Sequence, residues 1–314
     1  MTLDKFTSNN NMETAMPEQK NEKKRTIWIY LSLACIFTWI LWLPPLILAR
    51  QNNLLLPTIN NFELLVQDGF SSSFHLTISI LFSLAVYGPF IAAFIAIRID
   101  QGKQGVSGWL KRVFMWKIQP KWYLVCSSVA LLIAIIPFLT GIISGTIIFS
   151  SHQFFDMLIF FFPIFVMQIL TSGLGEEPGW RGFLLPAFQK FMEKETAIWM
   201  VGIAWAVWHF PFTIFEVLSN TGNLSGPFLA ITILSSLAGQ TISLVGMAFL
   251  YTWLVSSTGS VFLAVIFHAL TNTLPAVLIG QIPPALNFIT GFSPWVIVFI
   301  LQRILGKEKF PYGS

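Results

Sequence analysis

The sequence predicts an all-α fold, a polytopic transmembrane helix bundle of about eight spans, and three observations predict it. Of 314 residues, 55% are hydrophobic and only 10% charged, where soluble domains carry roughly a quarter charged residues. Apolar stretches recur from Ile27 to Ile304, each matching the roughly 20 residues needed to cross about 30 Å of hydrocarbon. The basic residues lie in short clusters between these stretches, so the net charge of +4 reports topology rather than a nucleic-acid surface. The lipid bilayer is the partner this composition demands.

Taken in order, residues 1–25 are rich in Asn, Glu, Lys and Thr, a composition that cannot offset the entropy of ordering, and read as a disordered cytoplasmic tail. Lys23-Lys24-Arg25 followed by the apolar run 27–48 resembles the start of a signal peptide. The run is too long and lacks a small-residue cleavage site, so it reads as a retained first span. Further spans are expected at 76–97, 122–149, 154 to about 186, 197–218, 228–255, 260–279 and 285–304. One membrane-embedded domain, 26–305, accounts for nearly the whole chain, and 306–314 reads as a second cytoplasmic tail. Cys35 and Cys126 sit in hydrophobic stretches without a CxxC spacing and read as buried thiols.

Sixteen of the eighteen Lys and Arg residues fall in the first, third, fifth and last connecting segments. Because such residues are retained on the cytoplasmic side, this sets both termini in the cytoplasm of a multi-pass plasma-membrane protein. Arg50 falls outside, and Arg181 lies within a span.

Ionised side chains at the centre of a span cost about 2.5 to 3.5 kcal/mol each on insertion scales, so they mark functional sites by default. Here they fall in three places: Glu176, Glu177 and Arg181 in the fourth span, Trp205 and His209 in the fifth, and His268 and Asn272 in the seventh. Residues four apart share a helix face. Glu177 therefore pairs with Arg181, and Glu176, five from Arg181, is left to face another helix. At 1.5 Å per residue, Glu176, His209 and His268 lie at similar depths and are expected to share one cavity, opening toward the cytoplasmic half. Burial from water suits a carboxylate to general acid–base work. Glu176, assisted by His209, is the candidate base for a water, with His268 and Asn272 donating to the oxyanion formed at a peptide carbonyl.

At these residues the chain resembles the CPBP family of intramembrane proteases, which includes the CAAX prenyl endopeptidases and the Abi, or bacteriocin-processing and immunity, proteins. The family's EExxxR, FxxxH and HxxxN motifs match at Glu176, Glu177 and Arg181, at His209, and at His268 with Asn272. Trp205 stands where the family usually has Phe. The resemblance implies a CAAX-protease-like fold with its motif core over 173–275. It implies Glu176, His209, His268 and Asn272 as catalytic residues, supported by Glu177, Arg181 and Trp205, and a peptide or membrane-protein substrate.

Glu176, His209 and His268 also form a conceivable zinc ligand set. HExxH is absent and the three come from separate helices, so a glutamate-activated water without cofactor is the expected mechanism and a divalent metal the alternative. Two non-proteolytic readings stand beside it: a membrane immunity or scaffold protein, and a proton-coupled transporter, whose usual internal repeats are not visible. His75, His152, Asp156 and Glu216 fall near outer span ends and are expected to have no catalytic part.

Overall fold

A computed structural model of the chain describes the backbone of residues 5–148, 151–220, 226–280 and 286–312. Its helices are α1 (Lys5–Gln51), α2 (Phe62–Asp68), α3 (Ser73–Ala85), α4 (Gly88–Val113), α5 (Lys121–Ile143), α6 (Ser151–Gln168), α7 (Leu174–Gly179), α8 (Leu185–Phe188), α9 (Lys194–Asn220), α10 (Gly226–Thr258), α11 (Val261–Ile279) and α12 (Asn287–Leu305). Among the described residues, seven helices are long and apolar enough to cross a membrane, and the pair α3 and α4, bent by 46°, makes an eighth. The all-α polytopic bundle therefore stands. The described helix begins at Lys5 where composition leads to an expectation of disorder, and the part able to cross a membrane is Lys24–Gln51.

The second span differs most from its sequence reading. Its bend falls at Val86–Tyr87, where the Thr38 hydroxyl donates to Ala85 O at 2.7 Å. α4 then runs well past the apolar stretch, breaking at Gly102, whose φ of 65° interrupts the helix. The continuation is amphipathic and buries Trp109 and Val113. These side chains carry no hydropathy signal for a span, but they anchor the segment beneath the bundle.

The fourth span is not one regular helix. Six residues of α7 are bracketed by two π-helical turns, Ile169–Gly173 and Trp180–Leu184, a wide i→i+5 geometry frequent at functional sites. Small residues let α7 sit unusually close to the α3–α4 bend: a side chain at Gly175 would meet Val86 O at 2.5 Å, and one at Gly179 would meet Pro89 and the Tyr30 hydroxyl at 2.6 Å. Within a membrane, such close approach is a main source of helix association. Trp109 Nε1 donates to Pro178 O at 3.0 Å and Arg112 to Gly182 O at 2.7 Å, so α4 holds the C-terminal end of α7 and the turn that follows it.

The remaining helices close around it. α9 packs on α10, α11 on α5 and α6, and α12 on α10. After α12 the chain turns back, and Phe310 is buried against Trp253 with ring centroids 5.8 Å apart. The 306–312 segment is thus a docked turn, because Phe310 and Tyr312 pack against the core.

Candidate active site

The EExxxR segment, α9 and α11 bring their polar side chains to one cavity of about 370 Å3. Glu176, Trp205, His209, His268 and Asn272 all line it. Glu176 is 3% exposed and His268 5%, so each polar atom needs a partner within the protein.

Glu176 finds one on α9: Trp205 Nε1 donates to its Oε2 at 2.6 Å. A phenylalanine at 205, as in the motif the sequence resembles, would have no such donor, so the tryptophan adds a contact. Glu176 Oε1 lies 4.0 Å from His268 Nε2, beyond hydrogen-bond range.

Glu177 does more than pair with Arg181. Its Oε1 accepts from Arg181 at 3.1 Å and meets His268 Nδ1 at 2.8 Å. A carboxylate oxygen accepts, so Nδ1 carries the proton of this pair. The ring is thereby held with Nε2 toward Glu176. The Arg181 guanidinium lies between two rings, 4.2 Å from the Trp205 centroid and 4.0 Å from that of Tyr251, where cation–π attraction is strengthened by the absence of water. Sequence spacing found the Glu177–Arg181 pair but not this link to α11, which no single-helix periodicity encodes.

His209 is fixed in the same manner. Its Nδ1 lies 2.9 Å from Trp205 O; the carbonyl can only accept, so Nδ1 carries the hydrogen and Nε2 is left as an acceptor. Its ring stands edge-on to Trp208 at 4.5 Å. Among the described residues, no hydrogen bond joins His209 to Glu176; they share the cavity without touching. Asn272 donates from Nδ2 to Gln168 Oε1 at 2.8 Å, and Gln168 also lines the cavity. Ideal α-helical periodicity would put Gln168 about 80° from Glu176, eight residues on. The intervening π-helical turn brings both to the same space, a shift the sequence does not announce.

Two expectations need correction. The cavity does not open toward the Lys- and Arg-rich end of the bundle. On that side of Glu176 and His268 the structure is solid: Leu184, Val201, Leu254, Val261 and Ala264 are all 0–1% exposed. The cavity instead extends past Pro137, Glu216, Pro275 and Thr290 to the strip Pro57–Asn60, at the end of the bundle that bears Arg50. Depth measured from the nearer helix end locates a residue, but packing decides which end is plugged. Second, Glu216 is not an interfacial bystander, since it lines the cavity wall. His75 does take a structural place, buried with Nε2 2.6 Å from Leu55 O and Nδ1 bonded to Ser71; His152 and Asp156 have side chains outside the described residues.

Among the described residues, no group of three or more His, Cys, Asp or Glu side chains is arranged to hold an ion; Glu176, His209 and His268 each bond one polar atom to a protein partner, as a metal-held histidine also does through its second nitrogen.

A family model described as type II CAAX prenyl endopeptidase Rce1-like matches residues 158–274, the stretch that carries Gln168, Glu176, His209, His268 and Asn272. No curated protein matches the chain.

Proposed function

We propose, from the match of residues 158–274 to a type II CAAX prenyl endopeptidase model, that this chain is an intramembrane endopeptidase that hydrolyses a peptide bond with a glutamate-activated water. The observation that carries the reading is that Glu176, His209, His268 and Asn272, from three separate spans, line one cavity of about 370 Å3 plugged at one end. A structural network would satisfy these groups by pairing them with each other. Here the partners of three of them, Trp205, Glu177 and Gln168, orient them toward open space.

In this mechanism Glu176 Oε1 and His209 Nε2 hold a water between them. As the water oxygen attacks the scissile carbonyl, Glu176 takes its proton. The oxyanion receives a hydrogen bond from the second Nδ2 hydrogen of Asn272, the first being committed to Gln168, and another from His268 Nε2. Donation from Nε2 while Nδ1 donates to Glu177 requires the imidazolium form, for which Glu177 is the counter-ion. Collapse of the intermediate breaks the C–N bond, and Glu176 returns the proton to the leaving amine. Gln168 and Glu177 are then positioning residues. No step uses a metal, and the substrate is a peptide or membrane protein entering from the open end or from the bilayer.

The test is cleavage of a membrane-peptide library by detergent-purified protein, read by mass spectrometry, comparing wild type with Glu176→Ala and His209→Ala. Cleavage lost in both variants, with thermal melts retained, supports the mechanism. A Glu176→Ala protein cutting at wild-type rate removes the assigned base, and cleavage abolished by a chelator and restored by zinc removes the metal-free route. Absence of cleavage by folded wild type favours the scaffold or immunity reading.

A further inference from the structure

A second cavity, of about 420 Å3, lies at the Lys- and Arg-rich end of the bundle and shares no lining residue with the first. Its walls come from α1 at Ile27, from α4 on both sides of the Gly102 break, and from the chain between Gly182 and Phe191. Two cations line it, Arg112 from α4 and Lys190 from the segment after α8. Arg112 donates to Gly182 O through Nη2, which leaves the other N–H groups of its guanidinium for a ligand. Among the described residues, neither cation forms an ion pair with a carboxylate. Asp100 also lines the cavity; it is exposed, and its Oδ2 accepts from Gln101 at 3.2 Å. The wall therefore holds two positive charges against one negative.

Two further observations say what would fill this space. Gly108 lines the cavity from inside α4. Glycine weakens a helix interior, and a side chain there would meet no atom within 4 Å, so no packing constraint calls for it; what the missing side chain provides is room. Just past Arg112, Phe114 and Trp116 are 52% and 60% exposed, and Lys117 Nζ lies 5.2 Å from the Trp116 ring centroid. Exposed aromatic rings beside basic residues mark the boundary of lipid and water, which puts Arg112 at the level of the headgroups. We infer that this cavity binds the phosphate of an anionic phospholipid headgroup, with the Arg112 guanidinium giving charge-assisted hydrogen bonds and Lys190 a second positive charge. Because Arg112 also holds Gly182, a bound headgroup braces the turn that follows the EExxxR glutamates. The inference does not depend on the proteolytic reading.

The experiment titrates the full chain in detergent with phosphatidylglycerol, phosphatidylcholine or glycerol 3-phosphate, reading bound lipid by native mass spectrometry and stability by thermal melts. Phosphatidylglycerol should bind about tenfold more tightly than phosphatidylcholine and raise the melting temperature. Lys190→Gln should weaken that binding about fivefold, and Gly108→Leu, which fills the cavity, should abolish it. Both variants should melt like wild type in phosphatidylcholine, since Lys190 is exposed and a side chain at 108 meets nothing. Lys111→Gln removes an exposed cation next to Arg112 that does not line the cavity, and should change binding little. Equal binding of the two lipids by wild type, which needs no variant to fold, overturns the inference. So do equal losses from Lys111→Gln and Lys190→Gln, the mark of diffuse surface attraction, and full binding by Gly108→Leu. Displacement of phosphatidylglycerol by glycerol 3-phosphate, sensitive to the same substitutions, would overturn the lipid as occupant and give the site to a soluble phosphate.

Discussion

The indole of Trp205 holds Glu176 by its Oε2 while its ring covers the Arg181 guanidinium, so one side chain on α9 both aims the proposed base and covers a buried cation. Trp205→Phe separates these tasks, keeping a ring over Arg181 and deleting only the donor. The loss of one charge-assisted hydrogen bond should lower kcat about tenfold with KM nearly unchanged, and should lower the melting temperature as well, because the buried Oε2 is left without its donor. An unaltered kcat would reduce Trp205 to packing.

Glu177 is fully buried and serves Arg181 and His268 together. Glu177→Gln leaves an uncompensated buried guanidinium, which costs about 3 kcal/mol or more, and also frees the His268 ring. The expected result is a lower melting temperature and a lower kcat, measured separately at a temperature where the variant is folded. Stability lost with kcat intact would show that His268 needs no help from Glu177.

Gln168→Leu keeps the bulk of a side chain on α6 but removes the acceptor for Asn272. If that bond positions an oxyanion donor, kcat should fall about tenfold while KM holds, and Asn272→Ala should add little to Gln168→Leu. Additive losses in the double variant would mean that the two act independently.

Alkaline-phosphatase fusions after Arg50 should be active and those after Lys117 inactive if the basic clusters are cytoplasmic. The same assay decides more than orientation, because the cavity extends to the Arg50 end. Active fusions after Arg50 assign the entrance to the outer side, and the reverse pattern assigns it to the cytoplasm.

Most spans were legible because each is an uninterrupted apolar run whose composition needs no tertiary context. The α4 continuation was not, since Trp109 and Val113 are buried by packing rather than by lipid. The polar residues of α7, α9 and α11 were conspicuous in the sequence because hydrocarbon makes every charge costly. Gln168 escaped notice for the opposite reason: a neutral amide within a span carries less penalty than a charge, and the π-helical turn hides its register. Glu216 was legible only on a helical wheel drawn from His209, which hydropathy does not draw. The plug and the mouth were illegible, because they depend on how Leu184, Val201, Leu254, Val261 and Ala264 meet, and these come from four different spans.

That plug has a practical side. Lys24 and Leu305 both lie at the sealed end, so a fluorescent protein or affinity handle attached beyond either would sit across the bilayer from the entrance and leave it unobstructed. A nanobody raised against the Pro57–Asn60 strip would instead act as a stopper. For anyone wishing to trap a substrate inside, that strip is the epitope to choose.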